Sequence, residues 1–73
     1  MPVISGKKMK LFLESRGCQF DRRKEGSHMV LLKGNVEIVI PDHRELAKGT
    51  MLSILRTADI SREEFINHFH RRK

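Results

Sequence analysis

Seventy-three residues hold one small domain, which at this size buries only about 60% of the surface its unfolded chain exposes; residues 1–73 read as a single unit for which an oligomer or a protein partner is favoured. Cys18 is the one cysteine, which excludes an intrachain disulfide and a cysteine zinc cluster, and no apolar run is long enough to span a bilayer; the expectation is a soluble, reducing compartment, the cytoplasm, with no membrane partner, metal or cofactor. Fifteen Lys and Arg against nine Asp and Glu give a net charge of +6, which favours a polyanion such as nucleic acid, whereas no Trp, no Tyr and only four Phe leave base stacking poorly supplied.

Ser5 is placed to cap a helix through "GKKMKLFLESR", with Met9, Phe12 and Leu13 on one face and Gly17 as its stop. Ile4 before the cap and Met9 inside it suit a hydrophobic staple. Three strands follow, "QFDRRK", "HMVLLK" and "VEIVI", the last rich in β-branched residues. Gly34-Asn35 is a two-residue hairpin signal. That turn pairs Lys33 with Val36, Leu31 with Ile38 and Met29 with Ile40 on a core face, and Leu32 with Glu37, Val30 with Val39 and His28 with Pro41 on the other. Pro41 ends the strand, "DHRELAKG" forms a polar loop, and a second helix starts near Thr50 with Met51, Ile54, Leu55 and Ala58 buried. Asp59 breaks that helix. Ser61 and Glu64 form a capping box for a short last helix bearing Phe65, Ile66 and Phe69, and the ending "HRRK" is expected to fray. The predicted architecture is an α+β sandwich, a three-stranded antiparallel sheet with its helices on one face and the other face open.

Gly26-Ser27-His28-Met29 is letter for letter a cloning remnant, but it lies inside the chain and is read as native. His28 falls on the open face, at the sheet end where the third strand leaves, so His43 and the helix start at Lys48, Gly49 and Thr50 belong to the same end. An imidazole for proton transfer, a helix N-terminus and lysine for charge, and Arg22, Arg23, Lys24 and Lys33 for a flanking backbone suit a phosphodiester. A histidine in a half-exposed strand is also an ordinary surface residue, and Gly26 and Ser27 also serve simply to shape a turn. Val30, Leu32 and Val39 on the outer face form a candidate patch for a partner.

The run "RRKEGSHMVLLKGNVEIVIPDHRELAKGTMLSILRTADISREEF" resembles the HicA family of small toxins from type II toxin–antitoxin systems. Its specific parts are Arg23 three residues before "GSH", a strand ending in "IP" followed by "DH", and "KGTMLSIL" with the downstream "ADIS". The resemblance implies a double-stranded-RNA-binding-domain-like α-β-β-β-α fold and metal-free cleavage of mRNA. It further implies that His28, the histidine of "GSH", is catalytic, and that a HicB-type antitoxin covers the active site. On this basis Arg22, Arg23, Lys24, Ser27, Lys33, His43, Lys48 and Thr50 are expected to meet RNA, and Val30, Leu32 and Val39 the antitoxin. Three positions depart from the family pattern. Met29 stands where a second histidine is frequent, Cys18 follows Gly17 where an aromatic is usual, with one extra residue before "GSH", and Asp59 replaces a glycine. Rival expectations are a non-catalytic RNA-binding module, and a DNA-binding or purely protein-interacting domain.

Overall fold

The computed structural model describes residues 1–70; of the ending "HRRK" expected to fray, His70 is described and is helical, whereas residues 71–73 lie outside the described residues. The order is α1 (Gly6–Glu14), β1 (Gln19–Lys24), β2 (His28–Lys33), β3 (Val36–Pro41), α2 (Lys48–Thr57) and α3 (Arg62–His70). The strands form one antiparallel sheet in the order β1-β2-β3.

Each boundary has a local cause. The Ser5 side chain accepts from the Lys8 N–H at 3.1 Å and starts α1. At its other end the Cys18 N–H returns to the Leu13 carbonyl at 3.0 Å. The second helix begins two residues before Thr50, at Lys48, and ends in the same manner: Ile60 N–H meets the Leu55 carbonyl at 2.9 Å around Asp59, whose φ of 59° is the left-handed value that such a stop requires. Ser61 caps α3 by accepting from the Glu64 N–H at 3.0 Å. The reciprocal half of the capping box is missing, because the Glu64 carboxylate turns instead to Arg16 Nε at 2.5 Å and ties α3 to the end of α1.

The β2–β3 register is the one the two-residue turn predicts, with Lys33 opposite Val36 and His28 opposite Pro41. Gly34 has φ 61° while Asn35 is not among the positive-φ residues, the II′ pattern. Met29, Leu31, Ile38 and Ile40 then enter the core with Met9, Phe12, Leu13, Met51, Ile54, Leu55 and Phe65. Helices α1 and α2 lie on that one sheet face, and Phe65 of α3 closes the core edge-on against Phe12 at 5.4 Å. The expected α+β sandwich with one open sheet face is the observed fold.

Strand β1 departs from simple alternation. Phe20 pairs with Leu31 but Arg22 pairs with Val30, so Asp21 is an extra residue, a bulge. The bulge keeps Arg22 and Lys24 on the open face and leaves Phe20 and Arg23 on the helix side. Cys18 is buried in the core at 3% exposure, and Phe20 is left 42% exposed at the sheet edge.

Candidate active site: a clamped loop beside His28

The loop joining β1 to β2, residues 25–27, holds two residues at positive φ, Glu25 at 51° and Gly26 at 73°. The Ser27 N–H donates to the Glu25 carbonyl at 2.7 Å, so the chain turns within three residues about Gly26. Left-handed backbone at a residue such as Glu25 costs on the order of 1–3 kcal/mol and persists only where neighbours enforce it. The enforcing contacts come from the end of β3. Asp42 N–H donates to the Ser27 carbonyl at 2.7 Å, carrying the β2–β3 ladder one step past Pro41. Arg23 Nη1 donates to Asp42 Oδ2 at 3.0 Å and reaches the Gly26 carbonyl at 3.5 Å. Arg23 is half exposed, so this pair contributes about 0–1 kcal/mol to stability. What it supplies is position: one guanidinium joins β1, the loop and the β3 exit around His28.

His28 is the first residue of β2, between Lys24 on β1 and Pro41 on β3. Its neighbour Met29 is buried in the core, so alternation puts the imidazole on the open face, where it is half-buried. Lys24, directly opposite on the same face, is exposed. Ser27 lies in the clamped loop, exposed, with its carbonyl engaged by Asp42. His43 is exposed two residues beyond Pro41, and its carbonyl accepts the Gly6 N–H at 2.9 Å, which brings the start of α1 to the same end.

The second helix also begins at this end, because its last carbonyls lie at the opposite one, against Lys33. Ala47 makes no side-chain cap at the N-terminus of α2, in contrast to Ser5 and Ser61, so the first-turn N–H groups at Lys48, Gly49 and Thr50 have no capping side chain. Among the described residues no group of three or more His, Cys, Asp and Glu is placed to hold a metal ion.

Three expected site residues sit differently from their sequence-based placement. Lys33 is not brought to His28. It lies at the far end of β2, on the helix face, and its ammonium donates to the Ala58 carbonyl at the end of α2. Arg22 does lie on the open face, but its guanidinium is paired with Asp21 and with Glu37 at 3.4 Å. The Asp21 hydrogen bond, with the Glu37 charge second, pushes its pKa above the ordinary arginine value. Arg22 belongs to β1 and Glu37 to β3, so their ion pair crosses above β2. Beneath it Val30 has 0% exposure without joining the core cluster, so it is not the open patch residue expected. Leu32 is half-buried and Val39 is 39% exposed.

The family model for "HicA toxin of bacterial toxin-antitoxin" matches residues 6–60, from the first residue of α1 to the turn after α2. The chain belongs to the HicA toxin family. It is thereby a toxin of a toxin–antitoxin system, and membership implies an antitoxin partner. No curated protein and no solved structure gives a match. Within this HicA chain the bulge at Asp21 takes up one residue of β1 and sets the pairing of Lys24 with His28. The α3 helix lies beyond the matched span.

Two contributors were missed from the sequence. Asp42 stands in the quoted "DH" pair, but its role as the second half of the Arg23 clamp depends on a contact nineteen residues apart. Gly6 reads in the sequence only as the opening residue of the first helical run, yet a Cβ there would lie 2.0 Å from the Pro41 carbonyl oxygen. No local pattern signals either one.

Proposed function

We propose that this toxin is an endoribonuclease that cleaves mRNA, with His28 moving a proton at the scissile phosphate. The observation that carries the proposal is the placement of the imidazole on the open sheet face, beside Lys24, at the end of a strained loop clamped by Arg23 and Asp42. The clamp fixes the backbone that carries His28, and a fixed mount for the imidazole is what proton transfer in a bound substrate needs.

The chemistry that suits one imidazole and a cationic rim is attack of a ribose 2′-hydroxyl on the adjacent phosphorus. The 2′-oxygen loses its proton as it bonds to phosphorus. The bond to the 5′-oxygen breaks, and that oxygen takes up a proton. The products are a 2′,3′-cyclic phosphate and a free 5′-hydroxyl. His28 serves one of the two transfers, and water or His43, at the same sheet end, serves the other. Lys24, Lys48 and the uncapped first turn of α2 hold phosphates through charge and N–H groups. Because the nucleophile is the 2′-hydroxyl, DNA is spared.

The family resemblance supports a metal-free reaction, a cytoplasmic setting and a HicB-type antitoxin seated on the open face over His28, Leu32 and Val39. Docking there hides the imidazole, and it reaches Val30 only if the Arg22–Glu37 pair opens. An oligoribonucleotide with one 2′-deoxy position at its cleavage site tests the chemistry. Cleavage is expected to stop at that position alone, and the all-RNA control to yield cyclic phosphate ends with or without a chelator. Cutting at the 2′-deoxy position contradicts the proposal.

A further inference from the structure

A groove of about 420 Å³ runs between α1 and the edge strand β1, on the helix side of the sheet, lined by Lys7, Lys10, Leu11, Phe20, Arg23 and Met29. Two of its walls are large apolar side chains left in water, Leu11 at 62% and Phe20 at 42% exposure. Phe20 faces the helix side because it pairs with Leu31, but α1 does not cover it. The Lys10 ammonium stands 5.1 Å from the centre of the Phe20 ring. Around this aromatic face the rim is cationic. Glu14 sits 3.4 Å from Lys10 and Asp42 is paired with Arg23, while Lys7 is exposed and adds its charge.

An open aromatic face beside clustered ammonium groups calls for a ligand that is both flat and anionic. A nucleotide of a single strand is such a ligand. We propose that the groove is a nucleotide subsite: it stacks the base of a residue flanking the cleaved phosphate on Phe20, with that residue's phosphate between Lys7 and Lys10. The inference rests on the RNA-cleavage reading of His28 and adds to it where the substrate strand runs.

Topology supplies the path. Arg23 pairs with Met29, the position next to the Lys24–His28 pair, and Phe20 pairs with Leu31. Phe20 is therefore three positions from His28 along β2, about 10 Å at strand rise. As an edge strand, β1 presents Arg22 and Lys24 to the open face and Arg23 to the helix face, so a polyanion that rounds the edge keeps a cation beside it on both sides. Lys10 now occupies the ring face. An exposed cation–π contact is weaker than base stacking, so an arriving base displaces the ammonium toward its own phosphate.

The test uses the His28→Ala protein, so that binding is read without cleavage, and fluorescence anisotropy with a labelled single-stranded oligoribonucleotide. Phe20→Leu keeps the groove apolar but removes the π face, and is expected to weaken binding by about 5- to 100-fold, the range of one lost stack. Lys7→Ala, at an exposed position, should weaken it several-fold and reduce its salt dependence. Oligonucleotides carrying one abasic residue at successive positions locate the stacked base. Against the Phe20 protein one position should lose affinity, and against Phe20→Leu that position should lose nothing further. If Phe20→Leu binds as tightly as its parent, or the abasic scan is the same for both, the subsite is refuted while His28-dependent cleavage stands. In the His28 protein, Phe20→Leu should raise KM and leave kcat within about twofold; a loss of kcat alone also refutes a binding subsite.

Discussion

Replacing Gly6 by alanine adds one methyl group where the start of α1 meets the backbone at the end of β3. The new Cβ would lie 2.0 Å from the Pro41 oxygen, 3.1 Å from the Pro41 carbonyl carbon and 3.2 Å from the Asp42 Cα. All three are backbone atoms, so no side chain can swing aside. Restoring even a tight 3.0 Å contact with the oxygen needs a shift of at least 1.0 Å between the start of α1 and the end of β3. Overpacking of this kind costs about 1–3 kcal/mol, and a shift that also breaks the 2.9 Å Gly6–His43 hydrogen bond adds about 1 kcal/mol. Against a total stability of about 4–11 kcal/mol for a chain of this length, the melting temperature should fall by roughly 5–30 °C. Gly49→Ala is the matched control, since a Cβ there meets nothing within 4 Å. At that helical position the methyl group should stabilise by up to about 1 kcal/mol. Urea unfolding followed by circular dichroism measures both. The steric argument is refuted if Gly6→Ala lies within about 0.5 kcal/mol of the parent or shifts in the same direction as Gly49→Ala.

Asp42→Ala removes the acceptor that fixes Arg23, so kcat for RNA cleavage should drop by about 10- to 100-fold from misplacement of His28, with KM little changed; Asp42→Glu should recover part of it, and parent-level activity in Asp42→Ala would show the clamp to be idle. Lys33→Met deletes the ammonium that caps the Ala58 carbonyl and should cost about 1–2 kcal/mol in denaturant unfolding while leaving RNA affinity unchanged, because it stands at the far end of β2 from His28. Burial raises the Cys18 pKa above the usual 9.0, and the nearby Lys33 charge opposes this only in part. The folded thiol therefore keeps a proton that the unfolded chain releases, so its contribution is fully present below pH 9.0 and is lost as pH rises from there. The unfolding free energy of the parent, from urea titrations, should decline more steeply above that pH than that of Cys18→Ala, by no more than about 1.4 kcal/mol per pH unit.

The parts of this molecule that are legible in its sequence are those decided by neighbours along the chain. The Gly34-Asn35 turn determines the β2–β3 register, and the register decides that Met29 enters the core and His28 does not. Ser5, Ser61 and Asp59 act within a few residues of themselves, so the helix limits follow. The clamp was not legible, because Arg23 meets Asp42 only after the Asp21 bulge has set which way each β1 side chain points. The covering of Val30 was missed for a related reason. Its exposure is decided by Arg22 and Glu37, on two other strands, reaching over it. Lys33 misled because charge alone suggested a phosphate contact, whereas its position on the helix side, at the end of β2, puts a helix C-terminus within its reach.

The central claim is that one imidazole on the open face carries the cleavage of RNA, and it is tested most directly by comparing initial rates of RNA cleavage for the parent and His28→Ala at matched purity, with thermal unfolding measured on the same samples. The account predicts a fall of at least about 10²-fold, the lower range for a lost acid–base group, with the melting temperature unchanged within about 2 °C, as expected for a half-buried surface side chain. Cleavage at the parent rate by a folded His28→Ala protein contradicts it.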